Sequence, residues 1–381
     1  MMRIPFFRPS IGDAEIETVA DCLRSGWLTT GPNVRAFESE FAALMGGDTQ
    51  AIAVNSATAA LHLGLEALGI GPGDEVIVPT LTFTSTAEVV RYLGARPVFV
   101  DMDPATFCID IQAAADAITA STKAIMPVHF AGRSCDMTAL RALADQHDIY
   151  IVDDAAHALP TRHAGKLIGS DFADVTAFSF YANKTMTTGE GGMLTTRKRD
   201  VAQRCRTMRL HGIDRDVFNR FTDTSSNWAY DVVAPGFKYN MTDMAAAMGR
   251  VQLARLDEFA EARTRLAARY DAAFADLPLV FPPAAAKGDC HAMHLYIVQI
   301  QDDAPLDRST LIEALREAGI GTSVHYRPLH QMTYWSGLNN KAQHPAADAY
   351  FKRCLSLPLF MAMRDDEQDY VIATVQRALS G

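Results

Sequence analysis

The sequence contains few cysteines, and they are not arranged in pairs. Its 381 residues include six cysteines that stand singly along the chain, with no Cys-x-x-Cys spacing: Cys22, Cys108, Cys135, Cys205, Cys290 and Cys354. Small secreted domains that depend on disulfides have a denser and more regular cysteine pattern. The spacing therefore predicts no disulfide framework and indicates a reducing compartment.

Long apolar runs and an excess of positive charge are also missing from the sequence. No run approaches the ~20 apolar residues that a membrane-spanning helix requires. The N-terminal stretch turns acidic at Asp13 and Glu15, before a signal-peptide core could form. The 35 basic residues are outnumbered by 45 acidic ones, so the net charge of −10 does not indicate a nucleic-acid surface. We expect a cytoplasmic protein without membrane or nucleic-acid partners.

Metal-binding spacings are scarce as well. The motif Cys290-His291-x-x-His294 stands just before a predicted strand, and no second cluster of ligands accompanies it. Zinc sites usually combine two such clusters. The sequence therefore predicts no metal ion.

What the sequence does contain is a regular alternation of strand-like and helical patterns. Helical spacing of apolar residues separates most of seven short apolar runs. Each run is predicted to be a strand, and the seven are Ala51–Asn55, Glu75–Pro79, Pro97–Asp101, Lys123–Val128, Ile149–Asp154, Val175–Phe180 and Gly192–Thr196. Runs that are apolar on both faces and joined by helices indicate a mainly parallel sheet covered by helices, which is the α/β class.

Six helices are predicted around these strands, and the pattern changes after Thr196. The six are Asp13–Ser25, Asn33–Met45, Ala57–Leu68, Thr84–Leu93, Ile111–Ile118 and Met137–His147. Beyond them we predict helices at Lys198–Leu210, Thr242–Phe274 and Arg308–Ala318, strands at Met293–Ile300 and Gly321–His325, and two terminal helices. This pattern indicates a large α/β domain over residues 1–245, including an N-terminal arm at Ile4–Pro9, and a smaller α+β domain over 246–381.

Two ionisable residues stand close to the ends of consecutive predicted strands. Asp154 ends one run, and Lys184 follows the next in a loop of small and polar residues. On residue type alone, Asp154 could cap a helix and Lys184 could be a solvated loop lysine. The adjoining TTGEGG stretch at 187–192 adds hydroxyls and glycines, which let backbone approach a ligand closely. Strand ends are also where open α/β sheets bind ligands, so these neighbours favour a site.

The pairing of an aspartate with a lysine suits pyridoxal phosphate (PLP) chemistry. A lysine with a lowered pKa can form a Schiff base, and an aspartate can keep a pyridinium nitrogen protonated. The segment Asn55–Ala60 lies at a predicted strand-to-helix junction, where free N–H groups and the helix dipole bind phosphate. An ordinary helix cap is the alternative interpretation of that segment, and the two are compatible.

Longer motifs resemble the DegT/StrS family of PLP-dependent nucleotide-sugar aminotransferases. The resemblance covers almost the whole chain, in SGWLTTGP (25–32), NSATAALHLGLEALGIGPGDEVIVPTLTFTST (55–86), VDDAAHAL (152–159), FSFYANKTMTTGEGGM (178–193), PGFKYNMTDMAAAMGRVQL (235–253) and SLPL (356–359). It implies aminotransferase fold type I, with a seven-stranded, mainly parallel sheet in the large domain and a smaller C-terminal α+β domain. Within the family, the similarity is greatest to the aminotransferases that make UDP-4-amino-4-deoxy-L-arabinose.

The resemblance also implies roles for individual residues. Lys184 would be the Schiff-base lysine and proton shuttle, and Asp154 would pair with the pyridine nitrogen. The other implied cofactor-binding residues are Ser56, Ala57, Thr58 and Ser179 at the phosphate, Phe83 stacked on the ring and His157 near the ring. The nucleotide-sugar site would be lined by Trp27, Thr29, Gly31, His325 and Tyr326.

This chain departs from the family pattern at three places, one of which is Pro160, where relatives commonly have a glycine after the aspartate motif. Tyr181-Ala182 stand where relatives usually have His-Pro, and GFKYN (236–240) stands where many have GYNYR. In those relatives the asparagine of the second motif reaches the cofactor phosphate of a partner subunit. Lys238 and Asn240 share a face of an extended segment, so either could serve that phosphate here. The resemblance therefore implies a homodimer with shared active sites.

The implied reaction is a ping-pong transamination. L-Glutamate would leave its amine on the cofactor and depart as 2-oxoglutarate, and the amine would pass to a nucleotide-linked keto sugar, at C4 rather than C3. One alternative is a PLP-dependent sugar dehydratase on the same scaffold, although such relatives carry histidine where this chain has Lys184. Another is a non-enzymatic PLP- or sugar-binding regulatory protein, which the full set of cofactor residues disfavours.

Overall fold

A seven-stranded sheet forms the centre of the computed structural model, which describes residues 2–214, 230–286, 288–338 and 343–380. The sheet contains β1 (Gln50–Val54), β2 (Glu75–Pro79), β3 (Arg96–Val100), β4 (Thr122–Ile125), β5 (Tyr150–Asp154), β8 (Val175–Ser179) and β9 (Gly192–Thr196), while β6 (Arg162–His163) and β7 (Lys166–Leu167) form a separate hairpin. The order is β1-β9-β8-β5-β4-β2-β3, and β9 alone runs antiparallel to its neighbours. The predicted α/β fold with a mainly parallel sheet is confirmed.

Helices pack on both faces of this sheet. They are α1 (Asp13–Ser25), α2 (Pro32–Met45), α3 (Ala57–Ala67), α4 (Ser85–Tyr92), α5 (Ile111–Asp116), α6 (Met137–His147) and α7 (Arg199–Met208). Successive strand residues point to opposite faces, so Ile151 joins the core on one face and Val152 the core on the other. This two-sided burial explains the continuous apolar runs. The seven predicted helices of this region are confirmed, with ends that differ by at most two residues.

The parallel strands bring distant parts of the sequence to one edge of the sheet. β1, β2, β5 and β8 all point in the same direction, so their carboxyl ends lie along a common edge. The segments that follow these strands begin near residues 55, 80, 155 and 180. Side chains from four separate stretches can therefore meet above that edge.

The long helix predicted at Thr242–Phe274 is two helices. α8 spans Asp243–Ala254 and α9 spans Leu256–Phe274, and the intervening Arg255 has φ −102° and ψ 9°. The Arg255 guanidinium donates to the carboxylate of Glu15 in α1 at 2.8 Å. Apolar periodicity continues across the break because both helices have an apolar face. The prediction of one continuous helix was wrong, since periodicity does not report the local backbone turn.

The C-terminal part contains a three-stranded antiparallel sheet. Its order is β10 (Leu279–Val280), β11 (Tyr296–Ile300) and β12 (Cys354–Leu357). The predicted strand at Met293–Ile300 is confirmed as β11, but the strand predicted at Gly321–His325 was wrong. In that segment Ser323 forms an isolated bridge to β12. The strand β12 was missed because four residues directly after a helix carry too little periodicity to be recognised.

Four further helices follow in the C-terminal part of the described chain, and one of them, which contains Trp335, packs in a core of the large sheet. They are α10 (Arg308–Glu317), the short α11 (Thr333–Ser336), α12 (Pro345–Arg353) and α13 (Asp365–Leu379). The predicted helix at Arg308–Ala318 and the two terminal helices are confirmed. The boundary between residues 245 and 246 stays a prediction.

Two general features of the described ranges bear on function. None of their helices combines the length and the apolar character that crossing a membrane requires. Their His, Cys, Asp and Glu side chains do not form a group of three or more that could hold a metal ion.

The N-terminal arm is anchored by a single buried residue. Ile4 is 1% exposed and packs in the core of the C-terminal part. Its N–H donates to the carbonyl of Gly319 at 2.9 Å, and its carbonyl accepts from the N–H of Gly321 at 2.8 Å. The sequence predicted an arm, and the structure shows that this arm packs against the C-terminal part of the chain.

We expect Ile4→Ala to lower the free energy of unfolding by about 2–5 kcal/mol, because it removes buried methyl groups and leaves a cavity. The measurement is a urea titration followed by circular dichroism. Val280→Ala in β10 is the control, since that side chain is 43% exposed, and we expect it to cost well under ~1 kcal/mol. Equal losses for both variants would contradict an anchoring role for Ile4.

Candidate active site

A cavity of about 360 Å³ opens above the carboxyl edge of the large sheet. This volume is within the range of small-molecule sites. Ten of the fifteen residues predicted from the sequence line it: Ser56, Ala57, Thr58, Phe83, Asp154, His157, Ser179, Lys184, His325 and Tyr326. The structure therefore brings together residues from the ends of β1, β2, β5 and β8 and from the C-terminal part of the chain.

Asp154 is the last residue of β5 and is almost completely buried. Its Oδ2 accepts a hydrogen bond from the Thr86 hydroxyl at 2.8 Å, and its Oδ1 accepts one from the N–H of Ala156 at 3.1 Å. Burial raises the pKa of Asp154, while these two donors and the nearby Lys184 act against that rise. The carboxylate is thus held in one orientation on the cavity wall.

Lys184 lies on the same wall, in the loop that follows β8. Its backbone N–H donates to the carbonyl of Tyr181 at 3.0 Å, which places it in a tight turn. The pKa of Lys184 is lowered to about 8, chiefly by burial; the Asp154 carboxylate acts against this shift, and Arg263 adds a smaller lowering. The lowered pKa makes the neutral amine, which is the form that attacks carbonyl groups, more available near neutral pH than in an ordinary lysine.

The N-terminus of α3 forms the part of the wall best suited to an anion. Ser56 caps the helix, because its hydroxyl oxygen accepts from the N–H of Ala59 at 3.1 Å. The first helical residues, Ala57 and Thr58, line the cavity, where the helix dipole and free N–H groups favour negative charge. A Cβ on Gly192 of β9 would approach the Ser56 backbone to 2.5 Å. Only glycine therefore lets the strand pass this close to the helix end.

His157 is a neutral ring held between two hydrogen bonds. Burial, with help from Lys184 and His325, holds the pKa of His157 well below its usual range. The N–H of Ala131 donates to its Nδ1 at 3.3 Å, so the ring proton resides on Nε2, which donates to the Tyr326 hydroxyl at 3.2 Å. His157 consequently supports Tyr326 at the cavity wall.

His325, which comes from the C-terminal part of the chain, is also a neutral ring. Burial, followed by the charge of Lys184, lowers the pKa of His325 to about 4. Its Nδ1 is 2.7 Å from the hydroxyl of Ser356 in β12. This bond joins the small sheet to the active-site wall.

Phe83 presents an aromatic surface to the cavity. The side chain is 57% exposed, which is unusual for a phenylalanine that follows a buried strand. Its ring centroid is 6.1 Å from that of Tyr326, at an interplanar angle of 54°. One face of Phe83 is therefore available to a flat ligand.

Five predicted residues lie outside this cavity wall: Trp27, Thr29, Gly31, Lys238 and Asn240. Four of them, Trp27, Thr29, Gly31 and Asn240, lie in a separate cluster around Thr30 and Asp243. The Trp27 indole N–H donates to the Thr30 carbonyl at 3.1 Å, and the Asn240 amide donates to the Thr30 hydroxyl at 2.8 Å. The carbonyl of Thr29 accepts from the N–H of Asp243 at 3.2 Å.

The contacts of Gly31 and Lys238 are with neighbouring residues of the protein. The Trp27 indole lies directly on Gly31, where a Cβ would meet it at 1.9 Å. The carbonyl of Lys238 accepts from the Asn55 amide at 3.3 Å, and the Lys238 side chain is exposed. The roles in substrate and phosphate binding stay predictions for this group.

Several wall residues were not predicted individually from the sequence. They are Thr82, Ser85, Val128, Ala156, Tyr181 and Asn183, and Thr86 lies behind them at Asp154. Glu190 and Gly191 also line the wall, and they belong to the 187–192 stretch for which the sequence predicted a close approach to a ligand. Most flank predicted residues in the chain, so proximity to a strand end could have identified them. Thr86 has a subtler signal, since it stands in the first turn of a helix that follows a strand.

The donor set fits pyridoxal phosphate in its charges and shapes. A capped helix N-terminus offers N–H groups to a phosphate, and Phe83 offers a flat surface to a ring. Asp154 offers a buried carboxylate to a protonated ring nitrogen, and Lys184 offers an amine of lowered pKa to an aldehyde. The Oδ1 of Asn183, on the same wall, is buried and makes no hydrogen bond to the described part of the chain.

Comparisons with known proteins agree with this geometry. The chain is 47% identical over 382 aligned residues to the spore coat polysaccharide biosynthesis protein SpsC of Bacillus subtilis strain 168, covering 99% of this chain and 97% of SpsC. Among solved structures it is similar to Spr1654 of Streptococcus pneumoniae, a candidate sugar aminotransferase, in its PLP form: the TM-score is 0.91 and the identity 36%, with 99% of this chain and 98% of Spr1654 covered.

A second solved structure extends the similarity. Helicobacter pylori PseC, an aminotransferase involved in the biosynthesis of pseudoaminic acid, superimposes with a TM-score of 0.91 at 26% identity, over 100% of both chains. The model of the DegT/DnrJ/EryC1/StrS aminotransferase family matches residues 9–376. The chain therefore belongs to the DegT/DnrJ/EryC1/StrS aminotransferase family.

Proposed function

We propose that this aminotransferase uses pyridoxal phosphate to transfer the amine of L-glutamate to a keto group of a nucleotide-linked sugar, at C4. The products are 2-oxoglutarate and an amino sugar nucleotide. The observation that carries the proposal is the shared cavity of Asp154 and Lys184, beside the N-terminus of α3. Membership in the aminotransferase family supports it.

The cofactor supplies the chemistry that side chains lack, since its aldehyde takes up an amine and its protonated ring stabilises negative charge on the adjacent carbon. The N–H groups of Ala57 and Thr58, with the hydroxyls of Ser56 and Ser179, would hold its phosphate. Asp154 would keep the proton on the ring nitrogen. Phe83 would cover one ring face and exclude water from it.

Lys184 has two tasks in this scheme. As a neutral amine it would hold the cofactor through the aldehyde group, and a pKa of about 8 makes that form available near neutral pH. The same Nζ would also give and take a proton at the substrate. The partly buried position of Lys184 on the cavity wall favours both roles.

The nature of the acceptor is proposed from the relatives. SpsC acts in spore coat polysaccharide biosynthesis, and PseC in the biosynthesis of pseudoaminic acid. His325 and Tyr326 lie on the wall as neutral hydrogen-bonding groups. Such groups suit a ligand with sugar hydroxyls better than a charged ligand. The nucleotide would extend from the cavity toward Trp27–Gly31.

We further propose a homodimer in which each subunit completes the active site of the other. The exposed Lys238 lies beside Asn55, directly before the phosphate-binding residues of its own chain. Three apolar side chains are about half exposed in the same segment of the chain and in the 25–32 segment that bonds to Asn240: Leu28, Val232 and Val233. Isologous dimers bury such patches at their twofold axis.

The direct test is incubation of the holoenzyme with L-glutamate. We expect the absorbance of the bound aldehyde cofactor to fall while one equivalent of 2-oxoglutarate appears, because the first half-reaction needs no sugar. A dehydratase or a binding protein would leave glutamate unchanged. Lack of 2-oxoglutarate, with cofactor bound, would contradict transamination from this donor.

Lys184→Ala should abolish amino transfer, because no other amine lines the described part of the cavity. Turnover with glutamate and a keto sugar is the measurement. Lys352→Ala, at an exposed position in α12, is the control and should keep full activity. Amino transfer by the Lys184→Ala protein would refute the assigned nucleophile.

The capture of PLP by the apo protein should depend on pH through Lys184. Only the neutral amine reacts, so the rate should rise about tenfold per pH unit below pH 8 and level off above it. The Asp154 charge raises the pKa of Lys184, so Asp154→Asn should move the profile to lower pH. A rate that continues to rise up to pH 10 would indicate an ordinary lysine.

The acceptor is identified by a panel of UDP-, GDP- and dTDP-linked keto sugars, each with the keto group at C3 or C4. We expect a C4 keto sugar to restore the absorbance of the aldehyde cofactor after glutamate has converted it. Free keto sugars without a nucleotide serve as controls. Equal rates with free and linked sugars would contradict the requirement for a nucleotide.

A further inference from the structure

A buried threonine makes the shortest hydrogen bond to Asp154. Thr86, in the first turn of α4, has no exposed surface. Its hydroxyl oxygen lies 2.8 Å from Oδ2 of Asp154, 2.8 Å from the hydroxyl of Thr82 and 3.1 Å from the carbonyl of Phe83. Thr86 does not line the cavity and does not belong to the residues assigned so far.

The direction of these hydrogen bonds follows from the number of protons. The ionised Asp154 carboxylate and the Phe83 carbonyl only accept, and the Thr86 hydroxyl has one proton to give. A bond to an ionised acceptor is roughly twice as strong as one between neutral groups. Thr86 therefore donates to Asp154, and Thr82 donates in turn to Thr86.

The two oxygens of Asp154 are held by different parts of the chain. Oδ2 is bonded to Thr86, and Oδ1 is bonded to the N–H of Ala156. Two donors on opposite oxygens fix the plane of the carboxylate. Each oxygen keeps a further lone pair, which can accept a hydrogen bond from the cavity side.

We propose that Thr86 is a positioning residue for the cofactor, which acts through Asp154: the chain of hydroxyls from Thr82 through Thr86 keeps the carboxylate ionised and aimed at a protonated ring nitrogen. The inference rests on the proposed use of pyridoxal phosphate. Burial raises the pKa of Asp154 and the Thr86 hydroxyl acts against that rise, as the geometry requires.

The test compares two ligands of the apo protein. One is pyridoxal phosphate, and the other is its deaza analogue, in which carbon replaces the ring nitrogen and no charged N–H can form. We expect Thr86→Val to weaken binding of pyridoxal phosphate about tenfold, as for a lost hydrogen bond to a charged group. Binding of the deaza analogue should not change, because Asp154 has no proton to accept from it.

Two further variants separate positioning from folding. Thr86→Ser keeps the hydroxyl and should bind pyridoxal phosphate like the wild type. Thr82→Val removes only the outer hydroxyl and should cause a smaller loss in the same direction. Thr374→Val is the matched control, since that threonine of α13 is also buried and uses its hydroxyl as a donor, to the Tyr370 carbonyl, but lies outside the cavity wall; it should leave both affinities unchanged.

A double mutant completes the test. If Thr86 acts through Asp154, adding Thr86→Val to Asp154→Asn should cause little further loss of affinity. Equal weakening of both ligands by Thr86→Val, or fully additive losses in the double mutant, would overturn the inference while leaving the proposed function intact. Failure of the wild-type protein to bind pyridoxal phosphate would overturn the proposed function, and this inference with it.

Discussion

The placement of a carboxylate and an amine in one buried cavity is the constraint on which the rest of the site depends. Burial disfavours the charged form of each group, and the attraction between the two charges partly offsets this effect. The result is a lysine whose pKa falls to about 8 and an aspartate whose pKa is raised but restrained by donors. An exposed pair would titrate almost normally. The chemistry of the site therefore follows from its depth in the fold.

The parallel sheet supplies that depth. Its parallel strands end at the same edge, so the segments that follow β1, β2, β5 and β8, including the N-terminus of α3, meet there. The antiparallel strand β9 passes close to the N-terminus of α3, and only a glycine at position 192 leaves room for the backbone of Ser56. The chain is similar to SpsC and PseC over nearly its whole length, which includes the segments that form this edge.

Local patterns predicted the elements of the large sheet well and those of the C-terminal part less well. Strands buried on both faces are continuous apolar runs, and the helices between them are amphipathic, so each is recognisable within a short window. The break at Arg255 and the strand β12 depend on contacts with distant segments, α1 and β11. A window that holds only neighbouring residues contains no information about such contacts.

The sequence by itself indicated the kind of chemistry: an aspartate at a strand end, a lysine after the next strand and small residues at a helix start suit PLP, and the longer motifs resemble an aminotransferase family. The tertiary structure alone decided which side chains meet. It placed Thr86 against Asp154, and it placed Trp27 and Asn240 in a cluster outside the cavity wall. The physical reason is that motifs are local in the chain, whereas hydrogen-bond partners and burial depend on how distant segments pack.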